Sequence, residues 1–347
     1  MQQGTGKTRV MIAGIGGASL GTEILKSLLL TDNYELYGCD ISPMAYGLYD
    51  EGFTKTFLVK REDYASEIMN LCARMEISCL IPGGEEPNIL LAPMQTNLLR
   101  KGIHFITNAA NVVETCSDKA LTFARLKECG VNIPRTISVQ QISDITNIEL
   151  PCIVKPATGS GGSVSVFYAA TVDEVLLYTE FIKKTGHVPI VQEYVDLSEG
   201  EFTIGVLSLP DGSIVDSIVL RRIFDAKLSC LYKEKDVVIS SGYSQGYIDD
   251  FSEIAKQAEK IALALGSRGP VNIQGRVRKG VLLPFEVNPR FSASTFLRAK
   301  AGFNEIDMYL QYVLKGIVPN KPVIKAGWYL RSLTERFIPQ EDIKSGH

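Results

Sequence analysis

The 347-residue sequence predicts an α/β unit followed by an α+β unit. In the first part of the chain, short apolar segments alternate with segments of helical periodicity, a pattern typical of a doubly wound parallel sheet. Further along, strand-like segments follow one another and join through glycine turns, which indicates antiparallel pairing. We expect the first unit to close near residue 112.

The first unit begins with a strand at 9–15 that ends in glycine, and a helix at 20–30 follows it. A second strand at 34–40 ends in Asp40. Helices are then predicted at 62–74 and 88–101, and strands at 77–81 and 103–106. This alternation supports the parallel sheet.

The second unit combines helices with antiparallel strands. Helices are predicted at 117–129, 171–184 and 252–265, the last with Ser252 as its N-cap and Gly266 as its stop. Strands are predicted at 151–155, 163–168, 189–195, 201–208, 213–220, 270–277 and 281–290. The last two strands form a hairpin around Lys279 and Gly280, and the segment GWYLRSL near the end of the chain is a further candidate strand.

Composition is that of an ordinary globular protein, with 45% hydrophobic and 22% charged residues. The formal net charge of -3 provides no field that would attract nucleic acid or an anionic membrane. We see neither a signal-peptide pattern nor an apolar run long enough to span a bilayer. The seven cysteines are scattered without a C-x-x-C pair, so we expect reduced, mostly buried thiols and a cytoplasmic protein.

Two glycine segments near the N-terminus do not fit phosphate loops. GTGKT at 4–8 lacks the glycine that a Walker A loop places six positions before Lys7. GIGGASLG at 14–21 follows a strand and precedes a helix, but Ser19 and Leu20 stand where dinucleotide fingerprints require glycine. Asp40 could still hold a ribose, which leaves a nicotinamide-dependent oxidoreductase as an alternative function.

A third glycine segment, KPATGSGGSVSV at 155–166, predicts a phosphate-binding flap. Lys155 ends an apolar strand, and an alternating strand follows the loop. Backbone N–H groups of such a loop can bind phosphate oxygens while the lysine supplies a charge. An ordinary glycine-rich hairpin turn is the alternative. The loop residues are Thr158, Gly159, Ser160, Gly161 and Gly162.

The strand around FEVNPR predicts a metal site. Glu286, Asn288 and Arg290 share one face, while Phe285 and Val287 should point into the core. In the neighbouring strand, Asn272 and Gln274 alternate with apolar residues in the same way. Carboxylate and amide oxygens suit Mg²⁺, and an arginine suits a transferring phosphoryl group. A solvated polar face of an edge hairpin is the alternative.

Together these motifs resemble the ATP-grasp enzymes, and among them a single unit of the carbamoyl phosphate synthetase large subunit and biotin carboxylase branch. The resemblance rests on PVNIQG followed by FEVNPRFSAST, and on SDKALTFARLKECGVNIPRT, CIVKPATGSGGSVSV and VQEYVDLSEGEFTIGV. It covers the chain to about residue 316. It implies a pre-ATP-grasp Rossmann-like domain at 1–112, an ATP-grasp domain at 113–325 with a lid at 113–190 and a metal-binding part at 191–325, and a C-terminal strand and tail at 326–347.

The resemblance also implies roles for individual residues. Lys119, Lys155 and the flap would bind the phosphates of ATP, although Lys119 alone also fits a solvated helix lysine. The main chain of Glu193, Tyr194 and Val195 would bind adenine, and Glu201 would bind the ribose. Gln274, Glu286 and Asn288 would bind the metal, with Arg290 and Asn288 in catalysis.

The implied reaction is phosphorylation of a carboxylate by ATP, with Mg²⁺ or Mn²⁺, to an acyl phosphate that an amine then attacks. Small molecules would be the partners, without nucleic acid or membrane, and a homodimer is expected from the family. The sequence holds one ATP-grasp unit and lacks the extended C-terminal part of biotin carboxylases, which favours a stand-alone carboxylate–amine ligase. A nucleotide-binding protein without catalysis is a further alternative.

Candidate substrate contacts lie in two places. Glu85 or Glu86, in the turn PGGEEPN at 82–88, would meet a substrate ammonium, although a helix start also favours acidic residues for its dipole. Arg221 and Arg222, at the end of a strand, are candidate contacts to a substrate.

Overall fold

The computed structural model describes residues 6–17, 19–145, 148–159 and 164–344. Its first unit is a parallel sheet of five strands in the order β3-β2-β1-β4-β5. The strands are β1 (Thr8–Ala13), β2 (Tyr34–Asp40), β3 (Lys55–Leu58), β4 (Cys79–Pro82) and β5 (His104–Phe105). The helices are α1 (Leu20–Leu28), α2 (Tyr64–Arg74), α3 (Glu85–Leu91) and α4 (Gln95–Arg100). The predicted alternation of strands and helices is therefore confirmed.

Two details of this unit differ from the predictions. The single helix predicted at 88–101 is divided into α3 and α4 by a 3-10 turn at Ala92–Met94, because Pro93 cannot donate a backbone hydrogen bond. The strand β3 was not predicted. It is only four residues long, and its side chains are exposed or half-buried, so it shows no apolar alternation.

The second unit contains two antiparallel sheets. The first, in the order β6-β9-β7-β8, consists of β6 (Thr136–Ser138), β7 (Cys152–Pro156), β8 (Phe167–Ala169) and β9 (Pro189–Glu193). The second, in the order β16-β15-β10-β11-β14-β17, consists of β10 (Glu201–Ser208), β11 (Ile214–Arg222), β14 (Gly246–Ile248), β15 (Pro270–Arg278), β16 (Val281–Asn288) and β17 (Gly327–Tyr329). A separate hairpin pairs β12 (Cys230–Glu234) with β13 (Val237–Ser240).

Six helices accompany these sheets: α5 (Ala110–Ser117), α6 (Lys119–Glu128), α7 (Val172–Lys184), α8 (Ser252–Ala264), α9 (Thr295–Lys300) and α10 (Glu305–Lys315). The N-cap prediction for α8 was wrong, because Ser252 is already helical and Phe251 precedes it without a side-chain cap. The predicted stop is correct, since Gly266 has a φ of 69°. Lys279 and Gly280 form the β15–β16 turn, both with positive φ.

The two units share an apolar core. One cluster of buried side chains contains Ile24 and Leu28 of α1 together with Leu310 of α10 and Phe303, which lies between α9 and α10. Tyr34 in β2 adds a hydrogen bond from its hydroxyl to Asp307 in α10, at 2.6 Å. The helices that follow the second sheet therefore pack on the first unit.

The segment after α10 contacts both units. Strand β17 pairs with β14, and Arg331 then forms a buried ion pair with Glu23 of α1, at 2.8 Å. Further along, Arg336 donates to the carbonyl of Tyr49 at 2.6 Å.

Two sequence expectations concern environment. All seven cysteines are free, and five of them are buried, as expected. Among the residues that the structure describes, no helix has the length and apolar character needed to cross a membrane.

Glycines shape the turn between β1 and α1. Gly14 has a φ of 94°, and its carbonyl lies against Gly21 in α1 and Gly83 after β4. A Cβ atom at either of these two positions would lie closer than 3.0 Å to that carbonyl. The glycine spacing at 14–21 therefore serves the close approach of α1 and β4 to this turn.

We expect Gly83→Ala to lower the free energy of unfolding by about 2–4 kcal/mol, because the added methyl group meets backbone that cannot move without disturbing β1. Urea unfolding followed by circular dichroism measures this change. Gly242→Ala is the matched control, since a Cβ there has no atom within 4 Å. Equal stability of the two variants would contradict the packing role.

Candidate active site

A cleft between the two antiparallel sheets is lined by several of the predicted site residues. Its apolar side chains include Ile153, Val166, Val195 and Ile239. Its charged side chains include Lys119, Lys155, Glu201 and Glu286. An apolar wall beside a charged one suits a ligand with a flat apolar part and an anionic part.

Lys155 is the buried cation of this cleft. Its Nζ donates to Gln192 Oε1 at 2.8 Å and to the carbonyl of Phe285 at 2.9 Å. Burial, reinforced by the nearby positive charge of Lys119 and opposed by the charge of Glu286, lowers the pKa of Lys155 to about 7. Neither hydrogen-bond acceptor carries a charge, so an anionic ligand would stabilise the protonated lysine.

Lys119 reaches the same cleft from the first position of α6. Asp118 caps that helix by accepting from the backbone N–H of Ala120 at 2.7 Å. The N–H of Lys119 itself donates to the carbonyl of Ala157 at 2.9 Å, which ties the helix start to the residue before the flap. Of the predicted flap, Thr158 and Gly159 are described, with a φ of 72° at Gly159. Ser160, Gly161 and Gly162 lie outside the described residues.

The predicted metal residues come together on the β15–β16 hairpin. Gln274 lies directly opposite Glu286 in the register, and Gln274 Nε2 donates to Glu286 Oε2 at 2.9 Å. Asn288 lies opposite Asn272, and Arg290 donates to Asn288 Oδ1 at 3.4 Å. The predicted common face is thus present in the structure.

The donor set at this face consists of one carboxylate and two amides. Among the described residues, no group of three or more His, Cys, Asp or Glu side chains is arranged to hold a metal. Mg²⁺ commonly takes one or two protein carboxylates and completes its octahedron with water and phosphate oxygens. Gln274, Glu286 and Asn288 fit that mode and do not form an all-protein cage.

The core prediction for Phe285 was wrong, whereas Val287 is buried as predicted. Gln274 pairs with Glu286 and Gly275 pairs with Pro284, so Phe285 is an extra residue without a partner in β15. Such a bulge turns the side chain away from its expected face. Phe285 consequently lines the cleft, and its carbonyl accepts the bond from Lys155.

Glu201 is fully buried between two arginines. Its Oε1 accepts from Arg222 Nη1 at 2.9 Å, and its Oε2 accepts from Arg276 Nε at 2.9 Å. Arg276 also donates to the carbonyls of Val195, at 2.7 Å, and Val238, at 2.6 Å. Each carboxylate oxygen can accept a second bond, so a ribose hydroxyl remains compatible with this clamp.

The segment predicted to bind adenine is held on both sides. Glu193 forms an ion pair with Arg278, and its N–H donates to the carbonyl of Arg135 at 2.8 Å. The N–H of Val238 donates to the Tyr194 hydroxyl at 3.1 Å. Residues 193–195 all line the cleft beside its apolar wall.

Arg290 lies just beyond the end of β16, although the sequence analysis placed it within this strand. Its Nη1 donates to the carbonyl of Phe291 at 2.9 Å. Burial lowers the pKa of Arg290, and the charges of Glu85 and Glu286 oppose that shift. Arg290 therefore lies within electrostatic reach of both the metal-binding face and the start of α3.

The start of α3 is tied to the same loop. The Thr107 hydroxyl lies 2.6 Å from Asn88 Oδ1 and 3.2 Å from the carbonyl of Pro289, the residue before Arg290. The two predicted acids at this helix start have different surroundings. Glu85 acts on Arg290, whereas Glu86 pairs with Arg61 at the mouth of a different crevice.

The predicted arginine pair is divided by the alternation of β11. Arg222 is buried, and besides Glu201 it donates to the carbonyl of Ser241 at 2.8 Å. Arg221 is exposed on the opposite face. The Arg222 side chain thus bonds groups in the protein interior, and the two arginine side chains do not form one substrate contact.

Two site residues were missed by the sequence analysis. Gln192 accepts from Lys155, and Arg276 clamps Glu201. Both were detectable as polar residues in apolar strands: Gln192 follows Val191 in β9, and Arg276 continues the alternation of Asn272 and Gln274.

Comparison with known protein families matches the ATP-grasp domain to residues 116–294, half of the chain. The chain belongs to the ATP-grasp family. The match contains the cleft lysines, the clamp at Glu201 and the β15–β16 hairpin.

Individual relatives of this ATP-grasp chain are distant. The carbamoyl phosphate synthase large chain of Sulfolobus acidocaldarius is 24% identical over 90% of this chain, and the match covers 30% of the relative. The D-alanine–D-alanine ligase of Thermotoga petrophila is 25% identical over 76% of this chain and 86% of its own. Among solved structures, the biotin carboxylase–βγ-ATP complex of Campylobacter jejuni has a TM-score of 0.69 and 14% identity, covering 91% of this chain and 73% of the other. The chain thus spans less than a third of that synthase and shares the biotin carboxylase fold.

We expect Glu201→Gln to lower the free energy of unfolding by about 3 kcal/mol, because it leaves two buried guanidinium groups without a counter-charge. Glu193→Gln is the matched control. Its partner Arg278 is 43% exposed, so the loss should stay below about 1 kcal/mol. Thermal and urea unfolding of both variants measure the difference, and similar small losses would show that the clamp is not needed for stability.

Proposed function

We propose that this protein is an ATP- and Mg²⁺-dependent ligase that activates a carboxylate as an acyl phosphate and transfers it to an amine. The observation that carries the proposal is that two lysines and Glu286 line one cleft, with Gln274 hydrogen-bonded to Glu286. Lysines suit nucleotide phosphates, and the oxygen face suits the ion that bridges them. Membership of the ATP-grasp family supports the same reading.

Each part of a nucleotide would have a group of residues to hold it in the cleft. Lys119 and Lys155 would hold phosphate oxygens, together with the flap from Thr158 to Gly162. The apolar wall and the main chain of residues 193–195 would hold adenine, and Glu201 would accept from a ribose hydroxyl. The lowered pKa of Lys155 supports this assignment, because a buried lysine without a counter-charge favours an anionic ligand.

Gln274, Glu286 and Asn288 would hold Mg²⁺ or Mn²⁺ by their side-chain oxygens. When bound there, such an ion would offset the negative charge of the phosphates during transfer. The hydrogen bond between Gln274 and Glu286 keeps the two side chains in one orientation.

The reaction would proceed in two displacements. An oxygen of the substrate carboxylate attacks the γ-phosphorus of ATP, the bond to the bridging oxygen breaks, and ADP leaves. The amine then attacks the acyl carbon, inorganic phosphate leaves, and the nitrogen loses a proton. Arg290 would stabilise the transferring phosphoryl group, with Asn288 beside it, and Glu85 would receive the ammonium of the acceptor.

Several finer features are part of this proposal. The five-stranded unit at 1–112 would be the pre-ATP-grasp domain, and residues 113–190 and 191–325 would be the lid and the metal-binding part of the ATP-grasp domain. The D-alanine–D-alanine ligase is covered over most of its length, which favours a stand-alone ligase of small molecules. A cytosolic homodimer is the proposed setting.

The alternative functions have weaker support. A nicotinamide-dependent oxidoreductase would use Asp40, but Ser19 and Leu20 stand where dinucleotide fingerprints require glycine, and Gly21 and Gly83 pack against the Gly14 carbonyl. A nucleotide-binding protein without catalysis would not need Arg290 beside the metal-binding face.

We expect Glu286→Ala to reduce Mg²⁺-dependent ADP release by at least about 100-fold. The proposed metal loses its carboxylate ligand, and the negative charge of the phosphates is then no longer compensated. The assay supplies ATP with pooled amino acids and small carboxylates. Glu253→Ala, at the exposed start of α8, is the control and should keep full activity. Unchanged release in Glu286→Ala would contradict the metal assignment. Nucleotide binding without release from any pool would favour the non-catalytic alternative.

We expect binding of ADP with Mg²⁺ to draw a proton from solution above pH 7. The pKa of Lys155 is about 7 in the free protein, and bound phosphates would raise it, so the lysine must gain a proton at pH 8.5 but not at pH 6. Affinity should therefore fall as pH rises above 7. Calorimetry in buffers of different ionisation enthalpy counts the protons.

The control variants separate Lys155 from other sources of protons. Lys155→Met should remove the uptake at pH 8.5, whereas Lys184→Met, at an exposed position in α7, should retain it. Uptake that persists in Lys155→Met would assign the proton to another group.

A further inference from the structure

The Arg331 side chain, from the segment after β17, joins the first unit to the loop that contains Arg290. Its Nη2 lies 2.8 Å from Glu23 Oε2 in α1 and also donates to the carbonyl of Ala293. Ala293 belongs to residues 289–294 between β16 and α9, which we name the Arg290 loop. Only 8% of the Arg331 side chain is exposed, so solvent and salt screen these contacts little.

The Arg290 loop is otherwise held at its two ends. At its start, the carbonyl of Pro289 accepts from the Thr107 hydroxyl at 3.2 Å. Just after its end, the Thr295 hydroxyl donates to Glu305 at 2.8 Å. Hydrogen bonds within the loop are local. Among the described residues, Arg331 makes the hydrogen bond that reaches the middle of the loop from outside the loop and its flanking elements.

A second series of contacts leads from Arg331 to the metal-binding face. The Arg331 guanidinium lies over the ring of Tyr243, with Cζ 5.4 Å from the ring centroid, and the Tyr243 hydroxyl donates to the Arg331 carbonyl. The carbonyl of Tyr243 accepts from Arg222 Nη2 at 3.2 Å. Arg222 Nη1 in turn donates to Gln274 Oε1 at 3.4 Å. Arg331 is therefore connected to both the Arg290 loop and the Gln274–Glu286 pair.

We infer that Arg331 is a positioning residue, which holds the Arg290 loop so that Arg290 stays beside Asn288 at the metal-binding face. The catalytic value of this role rests on the proposed function, in which Arg290 stabilises the transferring phosphoryl group. A displacement of about 1 Å at a reacting centre can cost about 100-fold in rate, so a contact three residues from Arg290 affects catalysis. Because Arg331 also pairs with Glu23, the position of the loop depends on the first unit.

Hydrogen exchange of the full chain, without any ligand, measures how firmly the Arg290 loop is held. We expect Arg331→Gln to speed amide exchange at residues 290–296 by about tenfold, because the loop loses a charge-assisted hydrogen bond. Arg331→Lys should give an intermediate rate, since Nη2 makes both contacts and an ammonium group can replace one nitrogen.

Tyr34→Phe is the matched control. It removes the hydrogen bond to Asp307, which also joins the two units, but Asp307 lies in α10 and not in the loop. We expect this variant to leave exchange at residues 290–296 unchanged.

A second measurement compares the affinity for ADP with Mg²⁺ before and after addition of aluminium fluoride, which mimics the transferring phosphoryl group. Arg331→Gln should reduce the preference for the aluminium fluoride complex about tenfold, because Arg290 is no longer held at that group. Binding of ADP with Mg²⁺ alone should not change, since the cleft residues keep their contacts. Tyr34→Phe should keep both affinities, and calorimetry measures them.

Two results would overturn the inference: equal exchange at residues 290–296 in Arg331→Gln and Tyr34→Phe, or faster exchange with an unchanged preference for the aluminium fluoride complex. If Arg331→Gln does not fold, Tyr243→Phe is the milder variant and should speed the same exchange about threefold. If the unmodified protein does not bind ADP, the proposed function fails, while the exchange rates still decide whether Arg331 holds the loop.

Discussion

The hydrogen bond from Lys155 to the carbonyl of Phe285 joins the two antiparallel sheets across the cleft. It exists because a bulge in β16 leaves Phe285 without a partner in β15. The same lysine bonds Gln192 of the four-stranded sheet, so the sides of the cleft that we propose for the phosphates and for the metal share one cation. Removing the charge of Lys155 would affect both sides of the cleft. Gln192 and the Phe285 carbonyl would lose their donor, and a buried polar group without a partner lowers the free energy of unfolding.

The buried charged groups around the cleft differ in whether the protein supplies an opposite charge. Glu201 is compensated twice, by Arg222 and Arg276, whereas no acid among the described residues is in hydrogen-bonding contact with Lys155. A group that is fully compensated in the protein stabilises the fold, and a group that lacks a counter-charge favours a ligand. This contrast separates the structural ions of the site from those that we assign to a nucleotide.

Much of the site could be predicted because strand alternation is a local property. The common face of Gln274, Glu286 and Asn288 followed from a period of two, and the register confirmed it. The same reasoning failed at Phe285, since a bulge depends on the partner strand. The sequence analysis also grouped Arg221 with Arg222 because they are adjacent in the chain, although neighbouring strand residues face opposite sides.

By itself, the sequence determined the parallel unit, the antiparallel unit and the residues that we propose for phosphate and metal binding, because periodicity and glycine placement are encoded within short segments. Only the tertiary structure decided which charges are compensated. It placed Glu201 between two arginines, brought Glu85 within electrostatic reach of Arg290 while Glu86 pairs with Arg61, and left the Tyr64 hydroxyl without a partner among the described residues. These contacts join residues far apart in the chain, and their energies depend on burial and distance, which no local pattern contains.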